Sequence, residues 1–272
     1  MKDSFAFLFL VAFIILNCHP KPGDEAHFQE NPSLELLIPY NLSTPDQTWW
    51  LPHELQDISG ITPIFKDKIA CVQDEKGIVY IYNTKTEAIE DEYRFSRNGD
   101  YEDLHYEDGH FHVLMSNGKI HEFDYIDSSF ISEPIKTGLK NLDFEGLCLS
   151  NERNKFLLAP KLQNNLFVYN TEQNMIVDSI QIKNFNADKL KASAIVVDTI
   201  SNHIYVLSSP NKNLLILDYD YTLVQTIEID SKVFKQPEGM FISKEGDLYI
   251  SNEGKKGKAN ILRFKRQNEK DN

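Results

Sequence analysis

The chain has 272 residues, a formal net charge of −13, and 41% hydrophobic and 11% aromatic residues. That length holds one or two domains with enough apolar material for a core. The acidic balance excludes a nucleic-acid binder, which needs a basic footprint on phosphates, and suits cations or basic partners.

Along the chain, Lys2 precedes an uninterrupted apolar run from Phe5 to Leu16. The run is short for a bilayer span but right for the core of a signal peptide, predicted over residues 1–17. It ends in Ile15-Leu16-Asn17-Cys18, which resembles a bacterial lipobox, with Asn17 where Gly, Ala or Ser is usual. Cys18 is therefore the expected lipidation site. Residues 18–33, rich in Pro and mixed charge, read as a flexible tether. A single domain is expected over 34–272, tied to the bacterial cell envelope by its lipid alone, on the periplasmic or exterior face of the outer membrane.

The body repeats with a period near 45 residues. Glu102, Glu145 and Glu238 recur in Tyr101-Glu102-Asp103-Leu104, Phe144-Glu145-Gly146-Leu147 and Pro237-Glu238-Gly239-Met240. Ser59 and Ser193 occupy the same register in two further units, giving spacings of 43, 43, 48 and 45 residues. Unit one predicts strands over 60–65, 69–73, 78–82 and 88–95. Unit two predicts them over 104–106, 111–115, 120–123 and 130–136. Unit three gives 146–149, 155–159, 166–169 and 175–182, and unit four gives 194–197, 203–208, 214–218 and 223–229. Unit five has three, 240–242, 247–251 and 260–264. The breaks between them carry turn chemistry such as Ser116-Asn117-Gly118.

Four short strands per repeat is the pattern of a propeller blade. Unit five lacks a fourth strand, and Leu34–Tyr40 is a spare apolar segment, so it is expected to complete the last blade. The fold class is all-β, a five-bladed β-propeller closed by an N-terminal strand in the last blade. In that geometry the loop entering each innermost strand and the loop between its second and third strands share one face. Asp74 and Glu253 should then lie on the face that carries the glutamates. Cys71 and Cys148 sit in apolar strand-like runs and read as buried free thiols.

The ordered set Asp57-Ile58-Ser59-Gly60-Ile61, Val72-Gln73-Asp74-Glu75-Lys76-Gly77, Asp100-Tyr101-Glu102-Asp103-Leu104, Phe144-Glu145-Gly146-Leu147, Gln236-Pro237-Glu238-Gly239-Met240 and Leu248-Tyr249-Ile250-Ser251-Asn252-Glu253 resembles the SdiA-regulated (YjiK-like) β-propeller family. The likeness spans residues 50–266. It implies a five-bladed, NHL-related propeller with a calcium site, here in an envelope lipoprotein version. Asp143-Phe144-Glu145-Gly146 is also similar to a motif of phytase-like and esterase-like propellers.

Carboxylates converging from separate blades suit Ca2+, which takes six to eight oxygen ligands in flexible geometry. Zinc would recruit His or Cys, and neither recurs at this register. Glu102, Glu145 and Glu238 are the expected metal ligands, with Ser59, Asp74 and Glu253 as additional or supporting groups. The alternative is that each glutamate accepts hydrogen bonds from loop amides or pairs with Lys or Arg. His110 and His112 flank Phe111 and read either as exposed strand positions or, with His105 or His121, as a transition-metal pair. Trp49-Trp50 reads as a recognition patch or as packing at a blade edge. The chain carries no GxSxG, P-loop or HExxH motif, so no catalytic residue is assigned. Two functional readings follow. One is a monomeric calcium-binding module for a protein or small-molecule ligand. The other is a metal-dependent hydrolase, a phytase-like phosphoesterase, esterase or lactonase, using the same carboxylates.

Overall fold

A computed structural model describes residues 38–125, 135–136, 142–185 and 190–267. Strand β1 (Gln47–Trp50) comes first. Blade one follows with β2 (Ile58–Phe65), β3 (Lys68–Gln73), β4 (Ile78–Asn83) and β5 (Ala88–Arg94). Blade two is β6 (Tyr101–Glu107), β7 (His110–Met115), β8 (Lys119–Asp124) and β9 (Ile135–Lys136). Blade three is β10 (Phe144–Leu149), β11 (Lys155–Pro160), β12 (Asn165–Asn170) and β13 (Met175–Gln181). Blade four is β14 (Ala194–Asp198), β15 (His203–Ser208), β16 (Asn213–Leu217) and β17 (Leu223–Glu228). Blade five is β18 (Pro237–Ile242), β19 (Leu248–Asn252) and β20 (Asn260–Phe264).

Each blade is an antiparallel meander, and β1 pairs with β20 to give blade five its fourth strand. The innermost strands touch in sequence, β2 on β6, β6 on β10, β10 on β14, β14 on β18, and β18 back on β2. The protein is thus a closed five-bladed propeller.

The strand that completes blade five differs from the expected one. Gln47–Trp50 pairs with β20, while residues 38–40 are bends; residues 34–37 lie outside the described residues. An outer strand is half solvated and needs inward anchoring rather than a continuous apolar run. Gln-Thr-Trp-Trp supplies one inward anchor: Trp49 is buried, stacks on Tyr249 and donates its indole N–H to Thr84 O at 2.9 Å, while Trp50 is exposed. Ile38 and Tyr40 instead pack as side chains into the wedge between blades four and five. The expected signal peptide, lipidation site Cys18 and tether also fall outside the described residues.

Five apolar wedges hold the blades together, one at each interblade seam. The seam of blades one and two buries Phe95, Tyr101, Phe111 and Phe123, with Phe95 stacked on Phe123. Each such ring contributes about 1.5–3 kcal/mol by leaving water. The residue after the repeat marker is Gly60, Gly146, Ala194 or Gly239 in four blades, where innermost strands approach closely, and Asp103 in blade two, whose carboxylate lies against Gly60. A β-carbon on Gly239 would lie 2.5 Å from Ser59 O. Cys71 and Cys148 are free and buried.

Candidate functional site

Four of the five repeat markers sit at irregularities in the innermost strands. The pairing register shifts between Ile58 and Ile61, Tyr101 and Asp103, Phe144 and Gly146, and Pro237 and Met240. Ser59, Glu102, Glu145 and Glu238 lie inside those shifts, with Gly60 and Gly239 beside the first and last of them. Such bulges re-aim a side chain out of the sheet's alternation, and here they turn four polar groups towards one mouth.

A second repeated contact places the loops. The first residue after the second strand donates its backbone N–H to the residue two positions before the marker. These bonds are Asp74 N to Asp57 O (3.1 Å), Ser116 N to Asp100 O (3.1 Å), Lys161 N to Asp143 O (2.6 Å) and Glu253 N to Gln236 O (2.8 Å). In blade four, Ser209 N instead donates to Ser193 Oγ at 3.2 Å. Both loop types therefore meet on one face.

The resulting pocket, about 240 Å³, is lined by Ser59, Asp74, Asp100, Glu102, Asp143, Glu145, Ser193, Gln236, Glu238 and Glu253, with Lys161 and Lys255 among them. All six expected site residues line it. Two sets bring carboxylate oxygens within 4.8 Å of one another: Asp74, Asp100 and Glu102, and Glu102, Asp143 and Glu145. Glu102 belongs to both. Glu238 and Glu253 line the pocket outside these sets. Asp100 and Asp143 were missed in the sequence, although each stands two residues before a marker glutamate, as Asp-x-Glu.

The electrostatics are strained. Burial, then the charges of Glu145, Asp100 and Asp74, push Glu102 up to about 10, against a smaller pull from Lys161. Burial raises Glu145 to about 7, with Lys161 pulling it back by hydrogen bond and charge. Burial, then Glu145 and Glu253, raise Glu238 to about 7. Burial, then contact with Asp100, raises Asp74 to about 6. Carboxylates crowded in this way hold protons unless a cation replaces them.

Two ammonium groups answer part of that charge. Lys161 Nζ donates to Glu145 Oε1 and lies 3.9 Å from Asp143 Oδ2. Burial pulls the Lys161 pKa down, but Glu145 and Asp143 outweigh it and hold the group charged. Lys255 Nζ is 2.9 Å from Glu253 Oε1, and Gln236 Nε2 donates to Glu253 Oε2. Asp74, Asp100 and Glu102 have no such ammonium contact among the described ion pairs. Ser116 Oγ donates to Asp100 Oδ2. The least compensated negative charge is thus off-centre, over blades one and two.

The histidines are elsewhere. His105 and His112 are cross-strand partners and both pack on Phe156; burial lowers them to about 4 and about 3. His110 is exposed. No histidine joins a metal-compatible group among the described residues.

The fold and this mouth define a five-bladed β-propeller with an acidic, lysine-edged pocket at one end of its axis. The chain belongs to the SdiA-regulated family, whose model matches residues 56–255. No curated protein matches it in sequence. Among solved structures it is similar to a glutaminyl cyclase of Myxococcus xanthus, with TM-score 0.64, 10% identity, and 82% of this chain and 95% of that chain covered. A luciferin-regenerating enzyme gives TM-score 0.53 and 12% identity over 82% and 95% of the two chains. A Bacteroides thetaiotaomicron protein of unknown function gives 0.54 and 10% over 76% and 55%. At these identities the likeness is one of fold.

Proposed function

We propose that this protein is a divalent-cation-binding propeller, with Ca2+ the ion its mouth suits best, and that it acts as a ligand-binding module anchored through Cys18 at the bacterial envelope. One observation carries the reading: Asp74, Asp100 and Glu102, from two blades, hold carboxylate oxygens within 4.8 Å of one another. Their pocket offers only oxygen donors beside its lysines. A hard cation with flexible coordination fits that set, and a softer metal would want the nitrogen or sulfur ligands it lacks. Asp74, Asp100 and Glu102 would hold the ion, with Asp143 and Glu145 on its blade-three side. Glu238 and Glu253 would add to the field around it. The proposal carries a monomer with it, since every residue that this reading assigns to the site comes from one chain.

Isothermal titration of chelator-treated protein with Ca2+ tests the reading. Stoichiometric binding that is lost in Asp100→Asn with Glu102→Gln is expected. No heat and no change in melting temperature up to millimolar Ca2+ would sink it.

A second reading, a metal-dependent hydrolase, is favoured by Lys161. Its charged ammonium stands at the edge of the acidic set, where an anionic substrate would need a counter-charge. A bound divalent cation supplies polarisation of an ester or phosphoryl oxygen. Lys161 would orient the substrate's negative charge, and Glu145, raised towards neutrality, would hold or accept a proton. Turnover of aryl phosphates, esters or lactones that vanishes in Glu145→Ala supports this reading; absence of turnover removes it.

A further inference from the structure

The mouth is not uniformly acidic, and in blades three and four the loop between second and third strands brings lysine without a carboxylate of its own. Going round the ring, the loop between second and third strands presents Asp74 in blade one and Ser116 in blade two. It then presents Lys161 in blade three, Lys212 in blade four, and Glu253 with Lys255 in blade five. Blade four also lacks the marker carboxylate. Ser193 stands there, buried, and its hydroxyl is used internally, donating to Pro237 O at 3.1 Å and accepting from Ser209 N at 3.2 Å.

The smaller side chain leaves space. A second cavity of about 330 Å³ opens beside the acidic pocket and shares Glu145, Lys161, Ser193, Gln236 and Glu238 with it. Its own walls are Ala192, Ser209, Pro210, Lys212 and Lys235. Lys212 Nζ donates to Lys235 O at 3.0 Å, which holds the blade-four turn against the loop entering blade five. The turn itself is fixed by Lys212 in a left-handed conformation, φ 54°, and by Ile229 N donating to Lys212 O at 2.9 Å. Three lysines and the carboxylates of Glu145 and Glu238 therefore line a cavity that also takes in serine, alanine and proline, and Lys161, which donates to Glu145, stands on its boundary with the acidic pocket.

We infer that the blade-four cavity binds a compact organic oxyanion, a carboxylate or phosphate ester, whose charged head lies between the cation site and Lys161, Lys212 and Lys235. The inference deepens the proposed function and rests on it. A cation on the blade-one side and the ammonium groups of Lys212 and Lys235 on the blade-four side attract an anion from both flanks of a half-buried site. Of the two carboxylates that also line the cavity, Glu145 is paired with Lys161, so the head is placed away from Glu238, towards Lys212 and Lys235. Long lysine stems and Pro210 supply apolar contact for the body of the ligand. The volume is at the small end of ligand pockets, which selects a ligand of about one ring. A basic peptide or a second cation is disfavoured on this side by the same lysines.

The test is calorimetric titration of calcium-loaded protein with phenyl phosphate and, separately, with phenylacetate. These two arms distinguish a phosphate from a carboxylate head. At least one is expected to bind. The double variant Lys212→Gln, Lys235→Gln should bind it at least tenfold more weakly while still binding Ca2+ and melting within a few degrees of the parent. Removing calcium should also weaken the anion at least tenfold. If calcium binds but neither anion does, or if the double variant binds the anion as well as the parent, the inference is wrong. If calcium does not bind at all, the cation reading fails; lysine-dependent anion binding in that case would still uphold the cavity as an anion site, and its absence would overturn it.

Discussion

A β-carbon placed on Gly60 would lie 2.5 Å from Asp103 Oδ1 and 2.6 Å from the Asp103 Cα. Blades one and two thus meet through the absence of a side chain on one and a buried carboxylate on the other. Asp103 uses that carboxylate to accept backbone N–H groups from Leu104 and, across the next seam, Leu147, both at 2.8 Å. Gly60→Ala is expected to destabilise the protein by about 2–3 kcal/mol, because the obstructing atoms include backbone that cannot rotate away. For a domain of this size that is roughly 5–10 °C in melting temperature. Gly146→Ala, whose nearest new contacts are at 3.0 Å or more around Ile195 and Ala194, should cost less. Equal losses in thermal melts would show that the close approach at Gly60 is not what constrains it.

Removal of calcium should be visible without any assay of function. A ligand that binds only the folded state stabilises it by RT ln(1 + [L]/Kd), about 2.7 kcal/mol at a hundredfold excess over Kd. The expected rise in melting temperature is roughly 5–10 °C, reversed by chelator and abolished in Glu102→Gln. Glu253→Gln should keep most of the rise, since Glu253 is already held by Lys255 and Gln236. A larger loss in Glu253→Gln than in Glu102→Gln would move the site towards blade five.

The ring and its acidic face were readable because both are periodic. One residue type recurring near every 45 positions, between turn signals, can only be an equivalent place in equivalent blades. What escaped was whatever the period does not carry. The closing strand is a single unrepeated segment, and Leu34–Tyr40 is the more apolar candidate, yet a half-solvated edge strand needs only one inward anchor, which Trp49 gives to Gln47–Trp50. Asp100 and Asp143 are the exception: with Asp57 they hold one register in three blades, so the period does carry them, and they stay unassigned when only the glutamate register is taken to enter the mouth. The lysine side of the mouth comes from loops of unequal sequence, where Lys161 and Lys212 become neighbours only through the ring's curvature.

The raised carboxylates fix the sign of a pH dependence. Glu145 and Glu238 at about 7 and Asp74 at about 6 lie above the ordinary glutamate and aspartate range. The folded metal-free protein therefore binds more protons than the unfolded chain between pH 4.5 and pH 7. Its stability falls as pH rises through that window. Melting temperature without metal should drop from pH 5 to pH 7.5. With saturating Ca2+ the drop should shrink or vanish, and calcium affinity should rise with pH as protons leave. Melts across pH, with and without Ca2+, check both; a metal-free protein that grows more stable from pH 5 to pH 7.5 would show that these groups are not proton-linked to folding.

Far from the mouth, Asp198 is fully buried and accepts from Ser201 Oγ at 2.5 Å, Tyr205 OH at 2.9 Å and Arg266 Nη1 at 3.1 Å. Arg266 also reaches Tyr40 OH at 3.2 Å, and Gln267 N donates to Pro39 O at 2.8 Å. The cluster fastens both ends of the described chain to blade four. Burial pushes Asp198 up, but Ser201, Tyr205 and Arg266 outweigh it and hold the carboxyl below its usual range. That stabilisation is present above the unfolded pKa and is lost as pH falls through the folded one. Arg266→Leu leaves a buried charge without its partner, at a cost of about 3–5 kcal/mol near neutral pH. With the guanidinium gone, burial acts against a weaker set of hydrogen bonds, and the carboxyl rises. The deficit against the parent should then be small near pH 4 and widen towards pH 7. Denaturant melts of the two proteins at both pH values measure it, and a gap independent of pH would mean that Arg266 contributes packing and not charge.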